Sequence, residues 1–166
     1  MSDQSGFSSR PDAADLDRSH LDQVRHKLRS QVPLIAHMGV DRLSWDGATV
    51  IVEAPLAPNL NTHGTAFGGS LYNVAAMTGW SAVHLTLMDA GHTPSVWVAK
   101  GEIDYKAPVR GVIRGIATVS DESRQQLIRS YEEKGRAKLT IDVVIREGDR
   151  DAVILKAVYA AMVQDP

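Results

Sequence analysis

Asn61-Thr62-His63-Gly64-Thr65-Ala66-Phe67-Gly68-Gly69-Ser70-Leu71 is a polar, glycine-bearing loop that runs directly into a long apolar segment. Beyond it, Leu71, Val74, Ala75, Thr78, Ala82 and Leu85 recur at spacings of three and four. That spacing predicts a helix from Phe67 to Ala90, about six turns at 3.6 residues each, with Gly91 as its stop. Small residues crowd it (Gly68, Gly69, Ser70, Ala75, Ala76, Gly79, Ser81, Ala82), and charged side chains are sparse around its circumference. A helix of that composition must be enclosed. Its first N–H groups have no partner inside the helix and carry the positive end of its dipole, so they can polarise a carbonyl or hold developing negative charge. Glycines at 64, 68 and 69 let another molecule approach that backbone closely.

Working outward, Ser19 to Gln31 carries Leu21, Val24, Leu28 and Val32 at helical spacing among charged residues, an amphipathic lead-in helix that Pro33 stops. Asp46-Gly47 is a hairpin signal between Val40–Trp45 and Ala48–Ala54, both read as strands, and Pro55 and Pro58 impose an irregular connection to the glycine loop. After the long helix, Ser95 to Ala107 alternates Trp97, Ala99, Ile103 and Tyr105 with Lys100, Glu102 and Asp104, a strand with one wetter face. Val112 to Val119 is a further strand, and Asp121 is positioned to cap a charged helix, Glu122 to Lys134, closed by Gly135. Arg136–Arg146 and Ala152–Val163 complete the strands, the last apolar on both faces and therefore expected in the interior of the sheet. The order is an α+β pattern: one twisted antiparallel sheet wrapped around one buried helix.

At 166 residues the chain suits one domain, 18–166, behind a leader, 1–17, rich in Ser, Asp and Gly and expected to be disordered; it lacks the apolar stretch of a signal peptide. A net charge of −2 with acids and bases intermixed argues against a nucleic-acid surface. The absence of cysteine excludes disulfide and thiolate chemistry, and no ligand spacing suggests a metal. The longest apolar run, Val74–Met88, is broken by polar residues and is shorter than the roughly 20 residues of a membrane span. No membrane span and a cytoplasmic location are the expectations.

The run Asn61-x-x-Gly64-Thr65-x-Phe67-Gly68-Gly69-x-Leu71 resembles the start of the central helix in hotdog-fold acyl-thioester enzymes, and Tyr105-x-x-Pro108-Val109-x-Gly111 resembles their second shared segment. More narrowly, His63 to Tyr72, then Gly79-Trp80, then Tyr105-x-x-Pro108-Val109, is similar to the YiiD C-terminal-domain family of thioesterase-like proteins, over roughly Leu21 to Val163. The resemblance implies a homodimer, or a dimer of dimers, with acyl-thioester sites at the subunit boundary. It implies that the pantetheine arm of coenzyme A, or the phosphopantetheine of acyl carrier protein, reaches the start of the Phe67 helix as part of the substrate, with no separate cofactor. The activity implied is thioester hydrolysis. Two alternatives stand beside it: decarboxylation of malonyl-acyl carrier protein, known among relatives with this domain, and acyl-thioester binding without turnover.

Within that frame the backbone N–H groups of Gly68 and Gly69, or of Gly64, are candidates to polarise the thioester carbonyl, against the plainer reading that the glycines only let helix and sheet pack closely. Asn61 is a candidate to orient water or hold the thioester oxygen, and His63 to act as base or donor; each could instead shape a turn or cap the helix. Thr65 reads as a cap rather than a nucleophile. Phe67, Tyr72, Asn73 and Tyr105 are candidate lining residues, and Lys106 and Arg110 could meet coenzyme A phosphates or simply solvate the surface. Many hotdog thioesterases carry an Asp or Glu on the first turns of the central helix. Here that place falls near Ala76, and no residue from Ser70 to Met88 is acidic, so a carboxylate mechanism from this helix is not expected.

Overall fold

The computed structural model describes residues 13–163, with side chains from Ser19 onward. The elements follow in the order α1 (Ala13–Gln31), α2 (Pro33–His37), β1 (Arg42–Trp45), β2 (Thr49–Ala54), a 3-10 turn (Ala57–Asn59), α3 (Gly68–Asp89), β3 (Pro94–Tyr105), β4 (Ile113–Thr118), α4 (Asp121–Lys134), β5 (Arg136–Glu147) and β6 (Arg150–Val163). The first twelve residues of the expected leader lie outside the described residues, and α1 begins at Ala13, six residues ahead of the expected start of the lead-in helix. Pro33 ends α1 as expected and then opens α2 from its first position, where its missing N–H costs nothing. Among the described residues, no helix is long and apolar enough to cross a membrane.

The six strands form one sheet in the order β1-β2-β4-β5-β6-β3, every neighbouring pair antiparallel. β6 lies between β5 and β3, the interior place its two apolar faces require. One residue breaks the alternation read for β3. Val98 pairs with Tyr159 and Lys100 with Val158, leaving Ala99 as a bulge, so Trp97 and Ile103 fall on opposite faces. β3 is also an edge strand, which leaves most of its side chains partly or fully exposed.

The α3 helix packs along β2 to β6 with most of its residues buried, among them Val74, Leu85 and Leu87 with no exposed surface. Each such side chain contributes roughly 1.5–3 kcal/mol of transfer free energy. Close approach is made possible by two glycines. A Cβ on Gly79 would overlap the phenol of Tyr159 on β6, and one on Gly115 of β4 would overlap the Thr78 hydroxyl. Three of the polar groups sealed at the helix are satisfied locally: Tyr159 Oη donates to Ala76 O at 2.9 Å, Thr78 Oγ1 to Val74 O and Thr86 Oγ1 to Ala82 O, both at 2.7 Å. Gly91, at φ +85, stops the helix, its N–H donating to Met88 O.

Ser120, and not Asp121, caps α4: its hydroxyl accepts from Ser123 N–H at 3.2 Å. Asp121 instead occupies the first turn, where its charge complements the dipole. Of Leu127, Ile128 and Tyr131, which the sequence turns inward, Leu127 and Tyr131 are buried and Ile128 is half-buried.

Candidate functional site

Residues 60–66 close into a knot before α3 begins, with Leu60 and Ala66 paired as an isolated bridge. Asn61 is its clasp. Oδ1 accepts from the N–H groups of His63 (2.8 Å) and Thr65 (3.1 Å), while Nδ2 donates to Thr65 Oγ1 (2.8 Å) and Ala66 O (3.2 Å). Both donors and both lone pairs of the amide are engaged within the loop, so Asn61 shapes the turn and is not free to orient water. The Thr65 hydroxyl serves that clasp and does not cap the helix, whose N-cap is Phe67 in extended backbone with no side-chain bond. Gly64 sits at φ +72 and its N–H donates to Asn61 O at 3.2 Å, which removes it as a carbonyl-polarising donor. His63 is exposed, and its ring has no hydrogen-bond partner among the described residues.

The backbone then turns into α3 under firm control. Ala66 N–H donates to Val109 O (2.8 Å), Phe67 N–H to Asn59 O (2.7 Å) and Leu71 N–H to Phe67 O (3.0 Å). Between them, the N–H groups of Gly68, Gly69 and Ser70 have no acceptor among the described residues. Helix packing does not account for the two glycines. A Cβ on Gly68 would make only ordinary contact with the Tyr105 ring at 3.7 Å, and one on Gly69 would overlap only the Phe67 ring, a side chain 55% exposed and able to turn away.

The fold brings the second sequence segment to the same place. Tyr105 Oη donates to Gly68 O at 3.0 Å, and the Ala66–Val109 bond ties the segment after β3 to the loop before α3. Burial, then the neighbouring Tyr72 phenol, pushes the Tyr105 phenol above its ordinary pKa, so it remains a neutral donor. The Tyr72 phenol lies beside Gly101 of β3, where an added Cβ would come within 3.2 Å of Oη. Asn73 Nδ2 donates to Gly69 O at 2.8 Å, steadying the first turn from below. Lys106 and Arg110 are exposed; the Lys106 backbone is held by Ala152 O at 2.8 Å.

Two residues of this region escaped the sequence reading. Asn59 is 2% exposed, and its Nδ2 donates to Met38 O (2.8 Å) and Pro55 O (2.7 Å) while its carbonyl holds Phe67 N–H. It fixes the angle at which the chain enters the helix. Glu147, at the end of β5, accepts from Arg110 N–H through Oε1 at 3.1 Å, placing a carboxylate beside the second segment. Asn59 stood next to the Pro58 turn signal, whereas nothing local marks Glu147, which is 37 residues from its partner.

A six-stranded antiparallel sheet wrapped around one long helix, with an open helix start beneath a clasped loop, is the hotdog fold. The sequence profile described as "Putative thioesterase (yiiD_Cterm)" matches residues 21–163, and the chain belongs to that YiiD C-terminal-domain family. Solved structures agree. A protein of unknown function from Chlorobaculum tepidum is similar at 29% identity and TM-score 0.81, covering 88% of this chain and 99% of that one. A "putative thioesterase" from Shewanella oneidensis is similar at 28% identity and TM-score 0.79, covering 89% and 99%. A thioesterase from Haemophilus influenzae, at 14% identity and TM-score 0.60 over 93% of each chain, shares the fold alone.

Proposed function

We propose that the protein hydrolyses an acyl thioester of coenzyme A or acyl carrier protein at the start of α3. The observation that carries this reading is the set of three unpartnered N–H groups, Gly68 to Ser70, at the positive end of a buried helix. The thioester carbonyl oxygen accepts from them. Water adds to the carbonyl carbon, negative charge gathers on that oxygen, and the C–S bond then breaks to release thiol and carboxylic acid. His63, whose ring is free and exposed, takes a proton from the attacking water and returns it to the departing thiolate. Phe67, Tyr72 and Tyr105 wall the acyl group, and Lys106 and Arg110 meet the phosphates of the carrier arm.

A second copy of the chain completes the site. Strand β3 offers a twelve-residue open edge, and Trp97 and Tyr105 along it are 43% and 52% exposed, as is Phe67 nearby at 55%. Long open edges of this kind pair with another strand. A homodimer joined through β3 buries this apolar rim.

Decarboxylation of malonyl-acyl carrier protein is the second reading, favoured by the lack of any acidic residue from Ser70 to Met88 and by the engaged amide of Asn61. It needs an oxyanion hole and no base on the helix. Mass spectrometry of the protein incubated separately with a panel of acyl-CoAs and with malonyl-acyl carrier protein, beside Gly68→Ala, distinguishes them. Free acid and free thiol, lost in the variant, support hydrolysis. Acetyl-acyl carrier protein replaces it with decarboxylation, and binding with no product in any arm leaves a noncatalytic carrier-binding protein.

A further inference from the structure

The far end of α3 borders a cleft. From Gly68 to His84 is sixteen residues, about 24 Å at 1.5 Å per residue, so it stands well apart from the helix start. The cleft, of about 310 Å³, lies between α1 and the last turns of α3, with Gln23, His26, Lys27 and Gln31 on one wall and His84 and Met88 on the other. That volume is at the small end of the range of roughly 300–1,000 Å³ for ligand pockets.

His84 is the informative residue. Only 5% of it is exposed, its ring stacks on Trp80 with centroids 4.5 Å apart, and its Nδ1 finds no partner among the described residues. Nδ1 is sealed from solvent, whereas Nε2 is neither sealed nor bonded to another group among the described residues, so a molecule in the cleft meets the ring at Nε2. Desolvation, then the nearby charge of Lys27, lowers its pKa to about 4, so at neutral pH the ring supplies one donor and one acceptor and no charge. Positive charge comes from Lys27, whose ammonium lies 6.0 Å over the Trp80 ring. No carboxylate lines the cleft among the described residues. One wall is thus a cation flanked by two amides, and the opposite wall an imidazole beside a methionine.

We propose that the α1–α3 cleft is a binding site for a small monocarboxylate with a short apolar tail, the carboxylate on Lys27 and the His84 ring, the tail against Met88. The site is separate from the thioester site, and its existence does not rest on the reaction proposed there.

Sodium butyrate is the probe. In long-range proton–nitrogen NMR spectra of the histidine rings, butyrate shifts the His84 ring nitrogens saturably, with a Kd of about 1 mM or tighter. Sodium chloride at matched ionic strength and butylamine, which has the same tail and the opposite charge, leave them in place. Lys27→Met, a change on a half-buried surface residue that spares the α1 packing positions Val24 and Leu28, weakens butyrate at least about tenfold. Three results overturn the proposal: no shift with butyrate, which leaves a cleft filled by water only; an equal shift with chloride; or unchanged affinity in Lys27→Met with its native spectrum retained.

Discussion

The first turn of α3 and the remainder of the same helix use glycine for opposite purposes. At Gly79 a Cβ would run into Tyr159, which is fully buried, so the missing side chain is what lets helix and sheet touch. At Gly68 a Cβ would rest at 3.7 Å from an exposed tyrosine, and nothing in the subunit requires its absence. This end, open without a packing reason and carrying three N–H groups with no acceptor among the described residues, is where the proposed thioester site lies. The buried remainder is shaped for the sheet.

The contrast breaks most readily through pH. His84 sits in the buried part of α3, at the edge of the α1–α3 cleft, where desolvation, then Lys27, lowers its folded-state pKa from 6.5 to about 4. As pH falls, the unfolded chain therefore binds the proton first. Stability present above pH 6.5 is lost as pH drops toward 4, and no more is lost from this group below that. The ceiling is about 3 kcal/mol, at 1.36 kcal/mol per unit. Chemical denaturation across this range shows the slope in the native protein and its reduction in His84→Phe, which retains the stack on Trp80. An equal slope in the variant would show that burial of the His84 ring does not produce it.

Next in size is Gly79→Ala. Tyr159 cannot retreat, because its hydroxyl is committed to Ala76 O at 2.9 Å and the ring has no exposed surface. Overpacking costs about 1–3 kcal/mol, partly offset by the better helix propensity of alanine. A net loss of about 2 kcal/mol lowers Tm by roughly 4–8 °C in a chain of this length. An unchanged Tm would mean that helix and sheet can part at no cost, and the glycine contrast would fail.

Gly68→Ala sharpens the comparison from the other side. Stability stays within about 0.5 kcal/mol, since the new methyl group meets only ordinary contacts. On the proposed reading, thioester turnover falls at least about tenfold, or 1.4 kcal/mol of transition-state stabilisation, because the methyl group would crowd the acyl carbonyl over the open N–H groups. Melting temperature and kcat/KM measured on one preparation separate the two effects. Unchanged kcat/KM would move the reaction away from this helix end.

The fold was largely legible because its signals are local and periodic. Three- and four-residue spacing marked α3, Asp46-Gly47 marked the β1–β2 turn at φ +91 for Gly47, and two apolar faces put β6 inside the sheet. What stayed hidden depends on partners. Alternation in β3 cannot reveal an extra residue, and Ala99 is seen as a bulge only against Tyr159 and Val158 of β6. Ser120 and Asp121 are both good caps by type, and only the backbone turn selects between them. Of the candidate site, the stretch was legible but the division of labour within it was not. Asn61 looks identical on paper whether its amide is free or spent, and here four hydrogen bonds spend it.

The smallest effect tests where the open region ends. Gly64 lies four residues before Gly68, and a Cβ there would meet nothing within 4 Å, yet its backbone does a different task. At φ +72 it forms the turn, and its N–H is already given to Asn61 O. Gly64→Ala should cost about 1 kcal/mol through the left-handed conformation alone, and Gly64→Asn less, since asparagine tolerates that region. Neither should change turnover once the folded fraction is equal, because no group facing a substrate is removed. If Gly64→Asn melts like the native protein and still loses activity, the substrate uses the space over the loop as well as the helix start, and Gly64 belongs to the site together with His63.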